Sequence, residues 1–376
     1  MRILFVFIFS SLILVALPAL GIYLHTGSVD RYLEFPPVTM YVEHAGESWF
    51  VFTILLLALA VVLWPLVKRF LVAVPVSENQ VNSGKHFPWW GWLALFSCIA
   101  SWILAWTRFH WFQPLQPYTF IPLWFSFVIL VNAAAMWRNG SSLLTKTPGK
   151  FLLLFPASSL FWWYFEYLNR FVQNWYYVGI EDFSSLNYVL TASVSFSTVL
   201  PAVLSMNHLL KSWKRFDAAY ENFFSFTINR PRLFAGIFLI FSCGGLFSIG
   251  IFPDLLFPLL WLAPLIIVTC LNSLLGLPTV FYNLRSGSWT GICRLAFSSL
   301  LCGFFWEMWN YYSYAKWIYC IPFVSQLKVF EMPVLGYSGY LPFGLECAVA
   351  GSFIMSLRDI LESGSSRTVL ADFSRA

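Results

Sequence analysis

Charged side chains are scarce in this sequence. Asp, Glu, Lys and Arg make up 10% of the 376 residues, and hydrophobic residues make up 59%. A soluble domain carries roughly 25% charged residues, and a surface with so little charge does not stay dissolved. The mean hydropathy is +0.72. This composition excludes an ordinary soluble globular domain.

Motifs of familiar catalytic and cofactor sites are also missing. The sequence has no Walker loop, no GxGxxG and no GxSxG. Its seven cysteines form no CxxC pair, and its five histidines fall in loops or near the ends of apolar runs. We therefore expect no metal site and no cofactor. The net charge of +5 is spread over short loops rather than gathered in a patch, so nucleic acid is not an expected partner.

Long continuous apolar runs are present instead. Runs of about 20 residues cross the bilayer as helices, and their continuity excludes the alternating pattern of a membrane barrel. The first run, from Ile3 to Leu24, is too long for the apolar core of a signal peptide. We predict an all-α integral membrane protein with about ten transmembrane helices. The predicted spans are 3–24, 48–67, 88–107, 118–137, 151–169, 186–206, 233–252, 256–275, 295–311 and 337–357.

Lys and Arg residues are distributed unevenly between the two sides of this layout. Of the 22 Lys and Arg residues, 17 fall on the side that holds both termini. Cytoplasmic loops of membrane proteins are enriched in these residues. The bias predicts that both termini are cytoplasmic and that the protein is located in a plasma (inner) membrane.

Two stretches of the chain share four landmarks in the same order. The central landmark is a Glu-x-x-Asn motif, Glu166 with Asn169 and Glu307 with Asn310. The other matching segments are 122–124 with 258–261, 138–141 with 285–288, and 175–177 with 317–319. Because each copy contains an even number of spans, both copies should have the same orientation, related by an axis along the membrane normal. The sequence thus predicts two parallel four-helix repeats.

The repeat divides the chain into five parts. Two N-terminal helices and a cytoplasmic loop precede the first repeat, and a basic cytoplasmic linker joins the repeats. A polar cytoplasmic tail follows the second repeat. The predicted parts are 1–87, 88–206, 207–232, 233–357 and 358–376.

Three carboxyl groups lie inside predicted spans, where an ionisable side chain is costly and needs a reason. Glu166 and Glu307 occupy corresponding spans, each with an Asn three residues later on the same helix face. Glu346 lies near the middle of the last span. We predict Glu166, Glu307 and Glu346 as candidate catalytic residues that face a shared pocket. The alternative is that these polar groups only hydrogen-bond helices together.

Aromatic residues make up 20% of the chain, with 19 Trp. Some form the interface belts that membrane proteins carry at both surfaces. Others flank the two Glu-x-x-Asn motifs, and an aromatic wall beside a carboxyl can hold an apolar ligand. The candidate substrate-binding residues are Asn169, Asn310, Trp163, Trp306 and Trp309.

These features predict a membrane protein that binds an apolar or amphiphilic small molecule, lipid-like or isoprenoid-like, between its repeats. A protonated carboxyl in such a pocket could act as a general acid. Two alternatives remain open at the level of sequence. One is a proton-coupled transporter that uses the same carboxyls, and the other is a non-catalytic subunit or scaffold. The lipid bilayer is the first expected partner in each case.

Overall fold

The computed structural model describes residues 2–37, 39–74 and 86–363. The described residues are predominantly helical, as the continuous apolar runs predict. The helices are α1 (Arg2–Thr26), α2 (Asp30–Leu33), α3 (Trp49–Val72), α4 (Trp89–Trp106), α5 (Phe120–Asn139), α6 (Leu143–Lys146), α7 (Pro148–Val172), α8 (Ser185–Phe196), α9 (Val199–Leu210), α10 (Lys214–Tyr220), α11 (Pro231–Ser248), α12 (Pro253–Leu256), α13 (Leu259–Leu274), α14 (Thr290–Tyr312) and α15 (Tyr340–Ser363).

Every predicted span contains a helix. Within the described ranges, seven helical segments are long and apolar enough to cross a membrane by length and composition: α1, α3, α4, α5, the continuous pair α8–α9, α11 and α14. The prediction of an all-α membrane protein is confirmed at this level. Helix α15 continues to Ser363, inside the predicted polar tail, and the remainder of that tail lies outside the described residues.

Short strands connect the two halves of the chain. Strand β1 (Trp175–Val178) follows α7, strand β2 (Lys316–Tyr319) follows α14, and the two pair antiparallel. A second ribbon, β3 (Lys328–Val329) with β4 (Met332–Pro333), leads into a 3-10 helix, Val334–Gly339.

The main hydrophobic core lies between the helices of both halves. Its largest fully buried side chains include Trp124, Phe165 and Phe343, from α5, α7 and α15. Helix α1 packs against α11 and α13. At Gly21 an added Cβ would lie 1.7 Å from the Phe247 carbonyl oxygen, so only glycine permits this close approach of α1 to α11.

Helix α3 lies outside this core. Phe52 is its one buried residue. Near the start of α3, Phe52 packs with Val324 and Leu335 in a cluster separate from the main core. Leu66 and Phe70, near its end, pack on α10. The rest of α3 presents apolar side chains outward, as a helix that contacts lipid does.

Candidate functional site

A cavity of about 570 Å³ lies between the two halves of the chain. Ligand pockets in proteins measure roughly 300–1,000 Å³, so this volume suits a small molecule. Its walls include residues of α3, α7, α8, α13, α14, α15 and the segment Val334–Gly339. The lining residues used below are Leu55, Ala58, Leu59, Val62, Trp162, Asn174, Trp175, Tyr177, Tyr188, Ala192, Trp261, Trp306, Lys316, Trp317, Tyr319, Tyr340 and Phe343.

The β1–β2 ribbon covers the cavity. Its register pairs Trp175 with Tyr319 and Tyr177 with Trp317. Residues directly opposite each other in an antiparallel pair point to the same face, and alternate residues of a strand do too. The two Trp and two Tyr side chains therefore share one face of the ribbon. All four line the cavity, which gives it an aromatic roof.

The two Asn residues of the repeated motif hold this roof in place. Asn169 donates from Nδ2 to the Trp175 carbonyl at 2.8 Å, and its Oδ1 accepts from the Trp175 backbone N–H at 3.4 Å. Asn310 makes the same two bonds to Trp317, at 2.8 and 2.9 Å. Each Asn thus fixes the strand that follows its own helix. Both Asn side chains bond to backbone, and neither is among the residues that line the cavity.

Glu166 lies behind the cavity wall and is fully buried. Its Oε1 accepts three hydrogen bonds, from Tyr177 Oη at 2.6 Å, Trp162 Nε1 at 3.0 Å and Trp175 Nε1 at 3.1 Å. All three donors line the cavity. Its Oε2 has no hydrogen-bond partner among the described residues.

Glu307 has a closely similar environment in the second half and is also fully buried. Its Oε1 accepts from Tyr319 Oη at 2.8 Å and from Tyr340 Oη at 2.6 Å. Within the described part of the chain its Oε2 is likewise without a partner. Tyr177 and Tyr319 occupy matching positions, each two residues after the Trp that Asn169 or Asn310 clamps.

The two networks differ at two donors. Trp175 Nε1 donates to Glu166, whereas Trp317 Nε1 has no hydrogen-bond partner among the described residues. Trp162 donates to Glu166 from one turn earlier on α7, whereas the corresponding position of α14 is Gly303. A Cβ at Gly303 would lie 2.4 Å from the Tyr340 ring. The ring of Tyr340 therefore occupies space that a side chain at position 303 would need. The missing indole of one half is replaced by a phenol from α15.

The hydroxyl groups of these tyrosines remain proton donors. Burial, followed by the adjacent Glu166 carboxyl, raises the pKa of the Tyr177 phenol well above its usual value. Burial and Glu307 raise the pKa of Tyr319 in the same way. Neither carboxyl is among the residues that line the cavity, whereas the phenols are. A proton exchanged with a molecule in the cavity would pass through Tyr177, Tyr319 or Tyr340.

Glu346 belongs to a different environment. Its side chain is 3% exposed, and its Oε1 accepts from the Leu265 backbone N–H of α13 at 3.2 Å. Pro264 precedes Leu265, and a proline within a helix disturbs that helix's own hydrogen bonds. Glu346 shares no hydrogen-bond partner with Glu166 or Glu307 among the described residues, and it is not among the cavity-lining residues.

The three candidate tryptophans are distributed between cavity and core. Trp306 lines the cavity. Trp163 donates to Ser193 Oγ at 2.9 Å and joins α7 to α8. Trp309 is 2% exposed and packs edge-on against Trp124, with ring centroids 5.3 Å apart. Of the three, Trp306 is thus the one in position to contact a ligand.

The sequence-based candidates omitted the residues that contact both the carboxyls and the cavity. These are Tyr177, Tyr319 and Tyr340, together with Trp162 and Trp175. For Trp175, Tyr177 and Tyr319, the signal in the sequence is the Trp-x-Tyr spacing repeated at 175–177 and 317–319. That spacing identifies a repeated segment, but it does not identify which polar group the tyrosine meets.

No protein-family model, curated protein or solved structure matches this chain.

Proposed function

We propose that the protein binds an apolar or amphiphilic small molecule in the cavity beneath the β1–β2 ribbon. The observation that carries this proposal is the lining itself, which is mainly aliphatic and aromatic with a few polar groups. Small-molecule sites commonly combine an apolar wall with a few polar groups that fix orientation. The cavity is also built by elements of both halves, as a specific site would be.

We further propose that the halves are two parallel repeats. The register of β1 and β2 supports this, because it pairs Tyr176 with Ile318, the middle residues of the two matching segments. Equivalent strands that pair antiparallel about their midpoint are related by a two-fold axis perpendicular to the ribbon. The matching bonds of Asn169 and Asn310 are consistent with the same axis.

Contacts between the halves support this symmetry. Trp261 of α13 stacks on Phe165 of α7, with ring centroids 5.3 Å apart. Trp124 of α5 packs on Trp306 of α14 at 4.9 Å. Phe165 and Trp306 each directly precede the glutamate of their motif. Trp124 and Trp261, which come two and three residues after a proline, therefore each contact the residue that precedes the motif glutamate of the opposite half.

The proposed topology is ten spans with cytoplasmic termini. Segments assigned to one side contact each other. On the outer side, His44 bonds to Asp254 at 2.6 Å. On the inner side, the Phe223 N–H donates to the Gly287 carbonyl at 2.9 Å. These contacts are those expected if each helix crosses the membrane once.

Acid catalysis is the enzymatic form of this proposal. A protonated Glu166 or Glu307 would give its proton to the phenol oxygen as the phenol gives its own proton to the ligand, so the carboxyl is the net proton donor and the phenol stays neutral. A transporter would use the same networks to bind and release protons. A scaffold would use them only for packing, in which case the cavity would hold no specific molecule.

The proposal is tested by native mass spectrometry of the purified protein. Ala192→Trp places a large side chain in the cavity, and Val194→Trp places the same side chain on an exposed position of the same helix that does not line the cavity. We expect the wild type and Val194→Trp to retain an apolar or amphiphilic molecule that Ala192→Trp has lost. Retention of nothing by the wild type, or equal retention by both variants, would contradict the proposal.

A further inference from the structure

Helix α3 is anchored at its inner end by two arginines. Arg69 of α3 donates to the carbonyls of Ala219 and Asn222, at the end of α10. Arg215 of α10 donates to the carbonyls of Leu71 and Ala73, at the end of α3, at 3.0 and 3.3 Å. The last carbonyls of a helix have no partner within that helix, so each arginine caps the other helix.

The outer end of α3 is anchored as well. The backbone N–H of Ser48 donates to the Phe323 carbonyl at 2.9 Å. Phe52 is 3% exposed and packs with Val324 and Leu335. Helix α3 is therefore fixed to the protein at both ends.

Between these anchors α3 passes in front of the cavity. One face of its middle segment lines the cavity, at Leu55, Ala58, Leu59 and Val62. This spacing of three and four residues is one helix stripe. Among the described residues, the main core contains no residue of α3. The middle of α3 thus separates the cavity from the bilayer without being packed into the helix bundle.

The polar groups of the cavity favour a particular head group. Lys316 is the one charged side chain among the described lining residues, and its Nζ pairs with Glu331 at 2.5 Å. An anionic head would therefore meet no unpaired positive charge there. Asn174 Oδ1, Tyr188 Oη and Trp317 Nε1 are buried in the lining without a partner in the described part of the chain. A hydroxyl group can donate to the amide oxygen and also bond to the phenol.

We infer that the ligand is a neutral amphiphile with a hydroxyl head group, and that it enters from the outer half of the bilayer past the middle of α3. This inference rests on the proposed function, since it assigns a ligand class and a route to the same cavity. The apolar stripe of α3 matches lipid tails on the way in. The unpaired oxygens of Asn174 and Tyr188 then bind the head.

Photolabelling in phosphatidylcholine vesicles tests both parts. One probe is a diacylglycerol with a diazirine in its tail, and the matched probe is phosphatidic acid with the same tails. The variant Ala58→Trp obstructs the α3 stripe, and Ala60→Trp places the same side chain on an exposed position of α3 that does not line the cavity. Labelled peptides and the rate of labelling are measured by mass spectrometry after mixing protein with vesicles.

We expect diacylglycerol to label cavity-lining residues at least about fivefold more than phosphatidic acid does. The negative head group of phosphatidic acid would be buried in the cavity without a positive partner, which lowers its affinity. Ala58→Trp should slow labelling about tenfold because the added ring has to be displaced, while Ala60→Trp labels like the wild type. Equal labelling by both probes would overturn the head-group assignment. An unchanged labelling rate in Ala58→Trp would overturn the route.

These outcomes are separable from the proposed function. If native mass spectrometry finds a retained molecule that Ala192→Trp loses, cavity binding stands even where the two probes or the α3 variants behave alike. If the wild type retains nothing and takes up neither probe, the cavity proposal itself fails.

Discussion

Tyr176 lies directly opposite Ile318 at the centre of the β1–β2 ribbon. The two residues come from segments that the sequence pattern matches to each other, and each follows a tryptophan whose backbone is held by a motif asparagine. The ribbon therefore joins the halves at points that the proposed repeat makes equivalent. Matching substitutions in the two halves can accordingly be compared as pairs.

The first pair removes one phenol hydroxyl from each carboxyl. Tyr177→Phe leaves Glu166 with two indole donors, whereas Tyr319→Phe leaves Glu307 with Tyr340 alone. We expect Tyr319→Phe to lower the free energy of unfolding by about 1–2 kcal/mol and Tyr177→Phe to lower it by less. The reason is that the buried Glu307 would keep one hydrogen-bond donor, whereas Glu166 would keep two. Thermal unfolding followed by tryptophan fluorescence measures both. A larger loss in Tyr177→Phe would contradict the hydrogen-bond assignment.

The second pair tests the asparagine clamps. Asn169→Ala and Asn310→Ala each remove a donor and an acceptor from the strand backbone. Each should destabilise the protein by about 1–3 kcal/mol. Hydrogen exchange at 175–178 and 316–319 should rise in both variants, since either clamp holds one strand of the ribbon. Exchange that stays at the wild-type level would mean that the strands are held by other contacts.

The third prediction concerns Gly303. Gly303→Ala forces the Tyr340 ring away from its position, so the bond from Tyr340 to Glu307 should weaken. We expect a loss of about 1–3 kcal/mol in stability, as overpacking typically causes. Gly244→Ala on α11 is the matched control, because nothing lies within 4 Å of a Cβ there. The control should be neutral or slightly stabilising, since Ala favours helix more than Gly does.

The fourth prediction separates packing from proton chemistry at Glu346. Glu346→Gln keeps an acceptor for the Leu265 N–H but removes the ionisable proton. If the role is packing, expression and ligand retention are preserved in Gln and reduced in Glu346→Leu. If the role is proton chemistry, Glu346→Gln is expressed normally while proton-dependent activity is lost. Thermal unfolding and proton uptake in vesicles distinguish the two results.

The fifth prediction concerns topology. Reporter fusions after Gly140 and Gly287 should report the cytoplasm, and fusions near Asp182 and Gln326 should report the outer side. The reason is the excess of Lys and Arg on one side of the predicted layout. A reversed signal at either pair would exclude the ten-span arrangement.

Much of the fold could be predicted from the sequence because run length is a strong signal for helices in lipid. All ten predicted segments contain helix, and among the described residues seven helical segments are long and apolar enough to cross a membrane. The ends of several helices differ from the predicted ends. The predicted span 295–311, for example, is a helix that begins at Thr290 and includes the buried Arg294. A span that begins at residue 295 leaves Arg294 in a loop, whereas the structure places it in α14, where it bonds to Asn207 at 3.1 Å.

The site was harder to predict because its contacts join distant residues. The repeated Glu166 and Glu307 are both buried, and each accepts hydrogen bonds from residues that line the cavity. The pairing of 175–178 with 316–319 has no periodic signal, since strands of four residues are too short to show one. The bond from Tyr340 to Glu307 depends on the space at Gly303, which no local pattern reveals.

The β1–β2 ribbon also limits how the protein can move. Many transporters alternate between two states by rocking one repeat against the other around a central site. Here four residue pairs form a backbone ladder between the halves, on the side of the cavity that the proposed topology makes the outer side. Separating the halves at that side would break the ladder, whereas separating them at the opposite side would leave it intact. In the proposed topology, the ribbon would therefore act as a hinge and direct large opening motions towards the cytoplasmic side.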